Sequence, residues 1–335
     1  MKKINEWAGI CPATNVVWKD KNCRVLDEEA IRLQIRDFLE AGAHRMFFGT
    51  AHEGLSMEER LKFFKVAVDE VKGRVQLGLS IPESGWTWLS IEQGKAIKDA
   101  GADFIYVMPP IIYGLNPDID DKAMVDYYRG FDKEIGAPYI ALAVPNPAAG
   151  TMGYIPPKTL KTLAMVTKNL VAFKLECMYS VRIMHACVGA LREAEKETGR
   201  HVCALLAGDH GLAEATLAGF EGNVNSGGVY RVREDLAIYN AINRGDLNEA
   251  FSIQARLTPS ADAVRGVFSS ATRTYTHFPY RFKTCAWLMG KIPTTYMRAP
   301  LLPIPKDEVE WLRDAMIKSG FKVVREAQQF EGPGI

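Results

Sequence analysis

The chain alternates between short apolar segments and segments with helical periodicity, and this alternation restricts its fold more than any other feature. Eight short segments are candidate strands, near residues 8–12, 44–50, 74–80, 102–108, 138–144, 170–173, 201–207 and 222–225. Strands that alternate with helices form a parallel sheet. Eight such units favour a closed (β/α)8 TIM barrel over an open doubly wound sheet.

The strand pattern stops near Glu234, and the remaining sequence has only helical patterns. These patterns cover residues 236–244, 247–267, 280–289 and 308–320. The sequence therefore predicts a barrel at residues 1–232 that carries the active site, followed by a C-terminal helical region at residues 233–335. Ser56 and Glu59 have the spacing of a capping box that opens the second helix.

The composition favours a small-molecule enzyme. The chain has 41 basic and 40 acidic residues, so its charge gives no reason to expect nucleic acid or an acidic membrane as a partner. No apolar run approaches the roughly 20 residues of a membrane span. The six cysteines have neither a C-x-x-C pair nor metal-ligand spacing. We therefore predict that these cysteines are reduced core residues of a soluble cytoplasmic protein.

Lys174 follows the apolar run Leu170–Phe173, and it is the residue on which a functional interpretation depends. If the strand ends at Phe173, Lys174 points into solvent, since lysine is rarely buried without a partner. If the strand continues, Lys174 lies in a dry pocket, where desolvation favours a neutral amine that can attack a carbonyl and form a Schiff base. Glu176 would share its face, as a solvated partner or as an acid or base.

Other strand ends place polar groups at the same mouth. Thr50 and the backbone amides of Gly49 and Ala51 would bind a substrate carboxylate, or this segment is an ordinary turn. His52 is either an acid or base or a surface residue. After the eighth strand, Ser226 and Gly227 line the mouth or turn the chain. Asp209 is most simply explained as a helix N-cap.

The residues resemble the dihydrodipicolinate synthase and N-acetylneuraminate lyase superfamily along nearly the whole chain. The matching motifs are Gly49-Thr50-Ala51-His52-Glu53 with Leu55-Ser56 and Glu59-Arg60, Ala100-Gly101-Ala102-Asp103 through Pro109-Pro110, Val171-Ala172-Phe173-Lys174, and Lys283 through Gly290 to Arg298-Ala299-Pro300. The resemblance implies a (β/α)8 barrel with a C-terminal helical domain. It also implies that Lys174 on the sixth strand forms a Schiff base with the ketone of a 2-oxo acid.

The sequence departs from the family's motifs at positions that carry chemistry. Ala51 stands where the family has a second threonine, so one hydroxyl for the substrate carboxylate is missing. The proton-transferring tyrosine of strand five aligns with Val144 or with Leu142, neither of which can move a proton. His52, Tyr113 and Tyr154 are the candidates for this role. Ala148-Ala149 stand where an arginine usually follows strand five, which argues against dihydrodipicolinate synthase itself.

The resulting expectation is a class I lyase or aldolase that acts on pyruvate or a 2-oxo acid adduct and needs no metal or organic cofactor. Apolar residues near strand ends favour an aromatic or apolar aldehyde as the second substrate; they are Trp86, Trp88, Ile111, Ile112 and Tyr113. One alternative is a dehydratase or deaminase of a 2-oxo sugar acid that uses the same imine. Another is a catalytically silent barrel that binds a small acid. The resemblance also implies a homo-oligomer, a tetramer or a dimer.

Overall fold

The computed structural model describes residues 5–48, 54–81, 86–110, 121–145, 154–177, 180–208, 210–265 and 278–331. All eight predicted strands are present and parallel. They are β1 (Gly9–Pro12), β2 (Arg45–Phe48), β3 (Gln76–Ser80), β4 (Phe104–Val107), β5 (Tyr139–Ala143), β6 (Leu170–Leu175), β7 (Cys203–Ala207) and β8 (Gly222–Asn225).

The strands follow one another around a nearly closed barrel. Their order is β1-β8-β7-β6-β5-β4-β3-β2, so each strand pairs with its neighbours in sequence and β8 returns to β1. A parallel bridge between Ala13 and Phe47 joins the chain after β1 to β2. The predicted (β/α)8 barrel is therefore confirmed.

Helices cover the outside of the barrel between successive strands. They are α1 (Glu28–Ala41), α2 (Met57–Val71), α3 (Thr87–Asp99), α4 (Asp121–Ile135), α5 (Pro157–Val166), α6 (Val181–Thr198) and α7 (Leu212–Leu217). Local sequence signals set several of their ends. Asp27 accepts a hydrogen bond from the Ala30 amide at 3.2 Å to begin α1, and Gly42 ends it in the left-handed conformation. The predicted capping box of Ser56 and Glu59 is formed at the start of α2.

Alternate residues of each strand face the barrel interior, and they form a core separate from the one beneath the helices. The interior cluster includes Cys11, Phe47, Phe104, Tyr106, Ile140, Leu142, Ala172, Leu205 and Val224. The larger cluster packs the outer strand faces against the helices. Such a filled interior makes the barrel a packed core, and it leaves chemistry to the rim at the carboxyl ends of the strands.

The C-terminal helices are α8 (Gly228–Asn243), α9 (Leu247–Arg265), α10 (Phe278–Leu288) and α11 (Lys306–Lys318). The first begins eight residues earlier than the pattern from Leu236 predicts. A Cβ atom on Gly228 would lie 2.4 Å from Pro12 Cβ, so glycine permits α8 to pack closely on β1. The predicted boundary after Val232 falls within this helix, and the division into two domains stays a prediction.

Two further sequence predictions concern cysteines and membrane spans. All six cysteines are free and buried, which confirms that they are core residues. Among the residues described above, no helix combines the length and the apolar character needed to cross a bilayer.

Candidate active site

Lys174 lies on the inner face of β6, two residues after Ala172 of the barrel interior. The strand continues to Leu175, so it does not end at Phe173. In the ladders on either side, Lys174 is level with Leu142 of β5 and Leu205 of β7. Lys174 therefore lies near the carboxyl-terminal end of the barrel, between Leu142 and Leu205 on the neighbouring strands.

Two stacked aromatic rings lie across from the lysine. The Lys174 Nζ atom is 5.8 Å from the centroid of the Phe47 ring and 5.4 Å from that of Tyr106. These rings are themselves stacked, with centroids 4.9 Å apart. Both distances fall within the range of cation–π attraction. Sequence reasoning missed Phe47 and Tyr106 as site residues, although the two-residue period of β2 and β4 places both on the inner face.

Cys11 shows how dry the interior below the lysine is. Burial raises the pKa of its thiol to about 12, although the positive charges of Arg45 and Lys174 oppose that increase. The thiol is therefore protonated at neutral pH, and it is not a nucleophile.

The strand-five position next to the lysine is occupied by Leu142. The β5–β6 register pairs Leu142 with Lys174, whereas Val144 lies beyond the end of β5 and bridges to Tyr154. Both side chains are buried. Of the two sequence alignments for the family's tyrosine, the one with Leu142 thus agrees with the register, and this position offers no hydroxyl.

Tyr154 is the one acid/base candidate that lies within the described residues. It follows the loop after β5 and its side chain is 42% exposed. The amide of the next residue, Ile155, donates a 3.2 Å hydrogen bond to the Val144 carbonyl, which holds this segment at the carboxyl end of β5. The catalytic role of Tyr154 stays a prediction.

Several predicted site residues lie outside the described part of the chain. They are Gly49, Thr50, Ala51, His52 and Tyr113, together with Glu53, Asp209, Ile111, Ile112, Ala148 and Ala149. Their proposed roles stay predictions from the sequence. Trp86 and Trp88 are described at the start of α3, where 57% and 66% of their surfaces are exposed.

Ser226 and Gly227 connect β8 to α8. The Gly227 amide donates to the Asn225 side-chain oxygen at 2.7 Å, and Gly227 is the N-cap of α8. The Asn225 amide group in turn donates to Asp235 on α8 at 3.0 Å. This segment therefore turns the chain between β8 and α8, which is one of the two roles that the sequence allows. A contact of Ser226 or Gly227 with substrate stays a prediction.

Glu176 continues the inner face of β6 above the lysine. Its amide donates to the Ala143 carbonyl at 2.9 Å, which extends the β5–β6 ladder beyond Leu175. Its carboxylate lies 3.6 Å from Arg265 at the end of α9. Sequence reasoning did not find Arg265, because nothing in the local sequence pairs it with a residue 89 positions earlier.

A second polar cluster lies at the opposite, amino-terminal end of β7 and β8. The ligand atoms of His201, Cys203 and Glu221 lie within 4.8 Å of one another, a grouping that can hold a metal ion. His201 forms ion pairs with Glu221 at 2.9 Å and with Glu195 at 3.0 Å. Hydrogen bonding to Glu221 raises the pKa of His201. The cluster is thus already joined by ion pairs, at the end of the barrel remote from Lys174.

A parallel barrel with appended C-terminal helices and an inward lysine on its sixth strand defines the Schiff-base lyase class. The sequence profile of the dihydrodipicolinate synthetase family matches residues 8–318. The chain belongs to this family.

Individual relatives are distant. The 4-hydroxy-tetrahydrodipicolinate synthase of Rhodopseudomonas palustris is 27% identical over 88% of this chain and 92% of its own length. A protein of Thermofilum pendens described as an uncharacterized DapA-like lyase is 27% identical over 89% and 93%. The crystal structure of YagE, an E. coli prophage protein of the same family in complex with pyruvate, has a TM-score of 0.82 at 21% identity, over 94% of this chain and 99% of that chain.

Proposed function

We propose that this protein is a class I lyase that forms an imine between Lys174 and pyruvate or another 2-oxo acid. The observation that carries the proposal is the position of Lys174, on the inner face of β6 at the catalytic end of the barrel, beside leucines and two aromatic rings. Pyruvate is the first acid to test because the E. coli structure with the same fold holds it.

The chemistry follows from an amine in this position. The neutral Lys174 amine adds to the ketone carbon, and the carbinolamine loses water to give a cationic imine. Loss of a proton from C3 gives an enamine, because the imine accepts the electron pair. The enamine carbon then forms a bond to the carbon of an aldehyde, whose oxygen takes a proton, and hydrolysis releases a 4-hydroxy-2-oxo acid and the free lysine. Aldol cleavage is the reverse sequence.

The proton transfers require an acid/base group other than the residue beside the lysine on β5, since that residue is Leu142. We propose His52 for this role, with Tyr113 and Tyr154 as alternatives. The carboxylate of the 2-oxo acid would bind at Thr50 and the amides of Gly49 to Ala51. A cytoplasmic location and a homo-oligomeric state stay predictions from the sequence and its resemblance.

The test is intact-mass spectrometry after incubation with pyruvate and borohydride. We expect a reduced pyruvyl adduct on the wild type and none on Lys174→Ala. Lys168→Ala is the matched control, because this lysine is exposed just before the same strand; it should be labelled like the wild type. Absence of an adduct with pyruvate and with other 2-oxo acids would overturn the proposal.

The absence of a hydroxyl at Leu142 is also what favours the second candidate, a barrel that binds a small acid without catalysis. Saturable binding of pyruvate without a trapped adduct would identify it. If an adduct forms, product analysis separates an aldolase, which yields an aldehyde, from a dehydratase or deaminase, which yields water or ammonia.

A further inference from the structure

The polar cluster at the amino-terminal ends of β7 and β8 has the donor set of a zinc site. Cys203 offers a thiol sulfur, His201 an imidazole nitrogen and Glu221 a carboxylate oxygen, and these three atoms lie within 4.8 Å of one another. Zinc in proteins is bound by these three kinds of ligand. In the part of the chain that the structure describes, no other group of three histidine, cysteine or acidic side chains is placed to hold a metal ion.

The backbone of the barrel fixes where these three side chains begin. Cys203 is the first residue of β7 and belongs to the packed barrel interior, and His201 lies two residues before it. Glu221 directly precedes β8. Its amide donates to the Ala204 carbonyl at 2.9 Å, and its carbonyl accepts from the Gly9 amide at 2.7 Å. The three side chains therefore come from neighbouring strands, at the seam where β8 returns to β1.

Glu195 on α6 sets the orientation of the imidazole ring. Its Oε1 atom lies 3.0 Å from Nδ1 of His201, whereas Nε2 of the same ring lies 2.9 Å from Oε1 of Glu221. A carboxylate on one ring nitrogen and the metal on the other is the usual arrangement at a zinc-bound histidine, because the carboxylate fixes the tautomer and makes the ligand more basic. Nε2 is therefore the nitrogen that is oriented toward a metal beside Glu221.

The guanidinium of Arg192 is the group that a metal ion would have to displace. Arg192 also lies on α6, pairs with Glu195 and with Glu221 at 3.3 Å, and has its Nη1 atom 2.6 Å from His201 Nδ1. Its side chain is 30% exposed, so it can turn into solvent. The ligand atoms would then close by about 1 Å, since tetrahedral bonds of about 2.0 to 2.3 Å place zinc ligands about 3.3 to 3.8 Å apart.

We propose that His201, Cys203 and Glu221 bind a zinc ion at the amino-terminal end of the barrel, with water as the fourth ligand. Zinc displaces the proton of the Cys203 thiol, because cysteine binds the metal as a thiolate. The thiolate and the imidazole select zinc over Mg²⁺ and Ca²⁺, which prefer oxygen ligands. The ion ties the start of β7 to the start of β8 and stabilises the closed barrel, and it takes no part in the chemistry proposed for Lys174.

The test is zinc binding by the full chain, prepared without a histidine tag and measured without a 2-oxo acid, so that the result does not depend on the proposed function. The readouts are metal content after equilibrium dialysis and the unfolding temperature at increasing zinc. We expect one zinc per chain and a rising unfolding temperature, since a ligand of the folded state stabilises it. Magnesium should produce neither effect.

Variants of two proposed ligands show whether the metal is bound at this cluster. Cys203→Ala and His201→Gln should lose the bound zinc. Cys285→Ala, which removes a buried cysteine of α10, is the matched control and should keep one zinc per chain. Cobalt(II) should give a thiolate charge-transfer absorption with the wild type and with Cys285→Ala, and none with Cys203→Ala. Circular dichroism checks that each variant is folded.

Variants on α6 leave the buried thiol intact and test the site even if Cys203→Ala fails to fold. Glu195→Gln should weaken zinc binding by about 10- to 100-fold, because it removes the carboxylate that orients the imidazole. Arg192→Gln should tighten it by about fivefold, the equivalent of one exposed ion pair, because zinc no longer displaces a guanidinium. Glu193→Gln, which removes an exposed carboxylate of the same helix, should change nothing.

The proposal is overturned if the wild type binds no zinc, or if it binds magnesium equally well. Zinc that remains bound in Cys203→Ala or His201→Gln would overturn it too, since the metal would then be held elsewhere. Weaker binding in Arg192→Gln would mean that the cluster is an ion-pair network in which the arginine supports its neighbours and a metal has no place.

Discussion

The stacked rings of Phe47 and Tyr106 place two π faces near the Lys174 nitrogen, which would become cationic again in the proposed imine. Cation–π attraction at such distances stabilises a desolvated cation by about 0.5 to 2 kcal/mol. We expect Tyr106→Leu to reduce turnover by roughly three- to thirtyfold for this reason. The midpoint of the pH profile for imine trapping should move to lower pH, because the ammonium form loses the same attraction.

Tyr106→Phe is the matched control, since it keeps the ring and removes only the hydroxyl. Steady-state turnover of this variant should stay close to that of the wild type. Equal losses in Tyr106→Phe and Tyr106→Leu would contradict the cation–π role and would assign the effect to the hydroxyl group.

The acid/base role of His52 is tested by its removal. We expect His52→Ala to lower kcat by about 100-fold or more, because positioned proton transfer contributes at least this much, and to leave the fold intact. Tyr154→Phe is measured beside it, because Tyr154 is an alternative for the same role and lies next to Val144 with 42% of its surface exposed. Turnover at saturating substrate, with circular dichroism as the check on folding, is the measurement. Retention of the full rate in His52→Ala would remove this residue from the mechanism.

At the scale of elements, β8 and α8 are joined by a buried polar network centred on Asp235. Its carboxylate accepts from Arg231 at 2.7 Å, from Asn225 at 3.0 Å and from Asn223 at 3.3 Å. We expect Asp235→Ala to lower the free energy of unfolding by about 3 to 5 kcal/mol, since it leaves a buried arginine without its carboxylate. Glu249→Ala breaks the exposed ion pair with Arg244 and should change the free energy of unfolding by less than about 1 kcal/mol. Urea denaturation of both variants gives the comparison, and equal effects would contradict the buried network.

The bounds of β8 could be predicted from the sequence, whereas the start of α8 could not. The strand β8 was predicted at its observed position, because this segment follows a helical pattern and precedes the turn residues Ser226 to Gly228. The start of α8 was not predicted, since Gly227-Gly228 has low helix propensity and indicates a turn. Gly228 lies close to Pro12 at the end of the adjacent strand β1, and no local pattern reports a contact between residues so far apart in the sequence.

Over the whole molecule, the periodicity of the sequence predicted the barrel, whereas it left the direction of Lys174 open, and only the resemblance to the family implied that this lysine points inward. It could not choose between Leu142 and Val144, since that choice depends on the register between β5 and β6. It also could not find Arg265, whose partner lies in a different part of the fold. Long-range ion pairs leave no periodic signal in the sequence.

Another long-range ion pair joins the C-terminal region to the barrel. Arg298 binds the Glu59 carboxylate through two hydrogen bonds, of 2.6 and 2.7 Å, and lies over the Trp18 ring at 4.4 Å. Hydrogen bonding from Arg298 lowers the pKa of Glu59 to about 2, against the opposing effect of burial. Glu59 also caps α2, which directly follows the segment that carries Gly49 to Ala51. The C-terminal region is therefore joined to the start of α2.

This pair predicts a pH dependence of stability with a defined sign. The pKa of Glu59 is lower in the folded state than its value of about 4.3 in an unfolded chain, so its ionisation stabilises the fold at higher pH. The contribution is fully present above about pH 4.3 and is lost as the pH falls through about 2. We expect the difference in unfolding free energy between the wild type and Arg298→Leu to shrink between pH 5 and pH 2. Urea denaturation at several pH values measures it, and Glu59→Gln, which cannot titrate, should show the same narrowing against the wild type. A difference that is constant over this range would mean that Arg298 acts through Trp18 and the backbone, and that the ion pair does not couple the two parts of the chain.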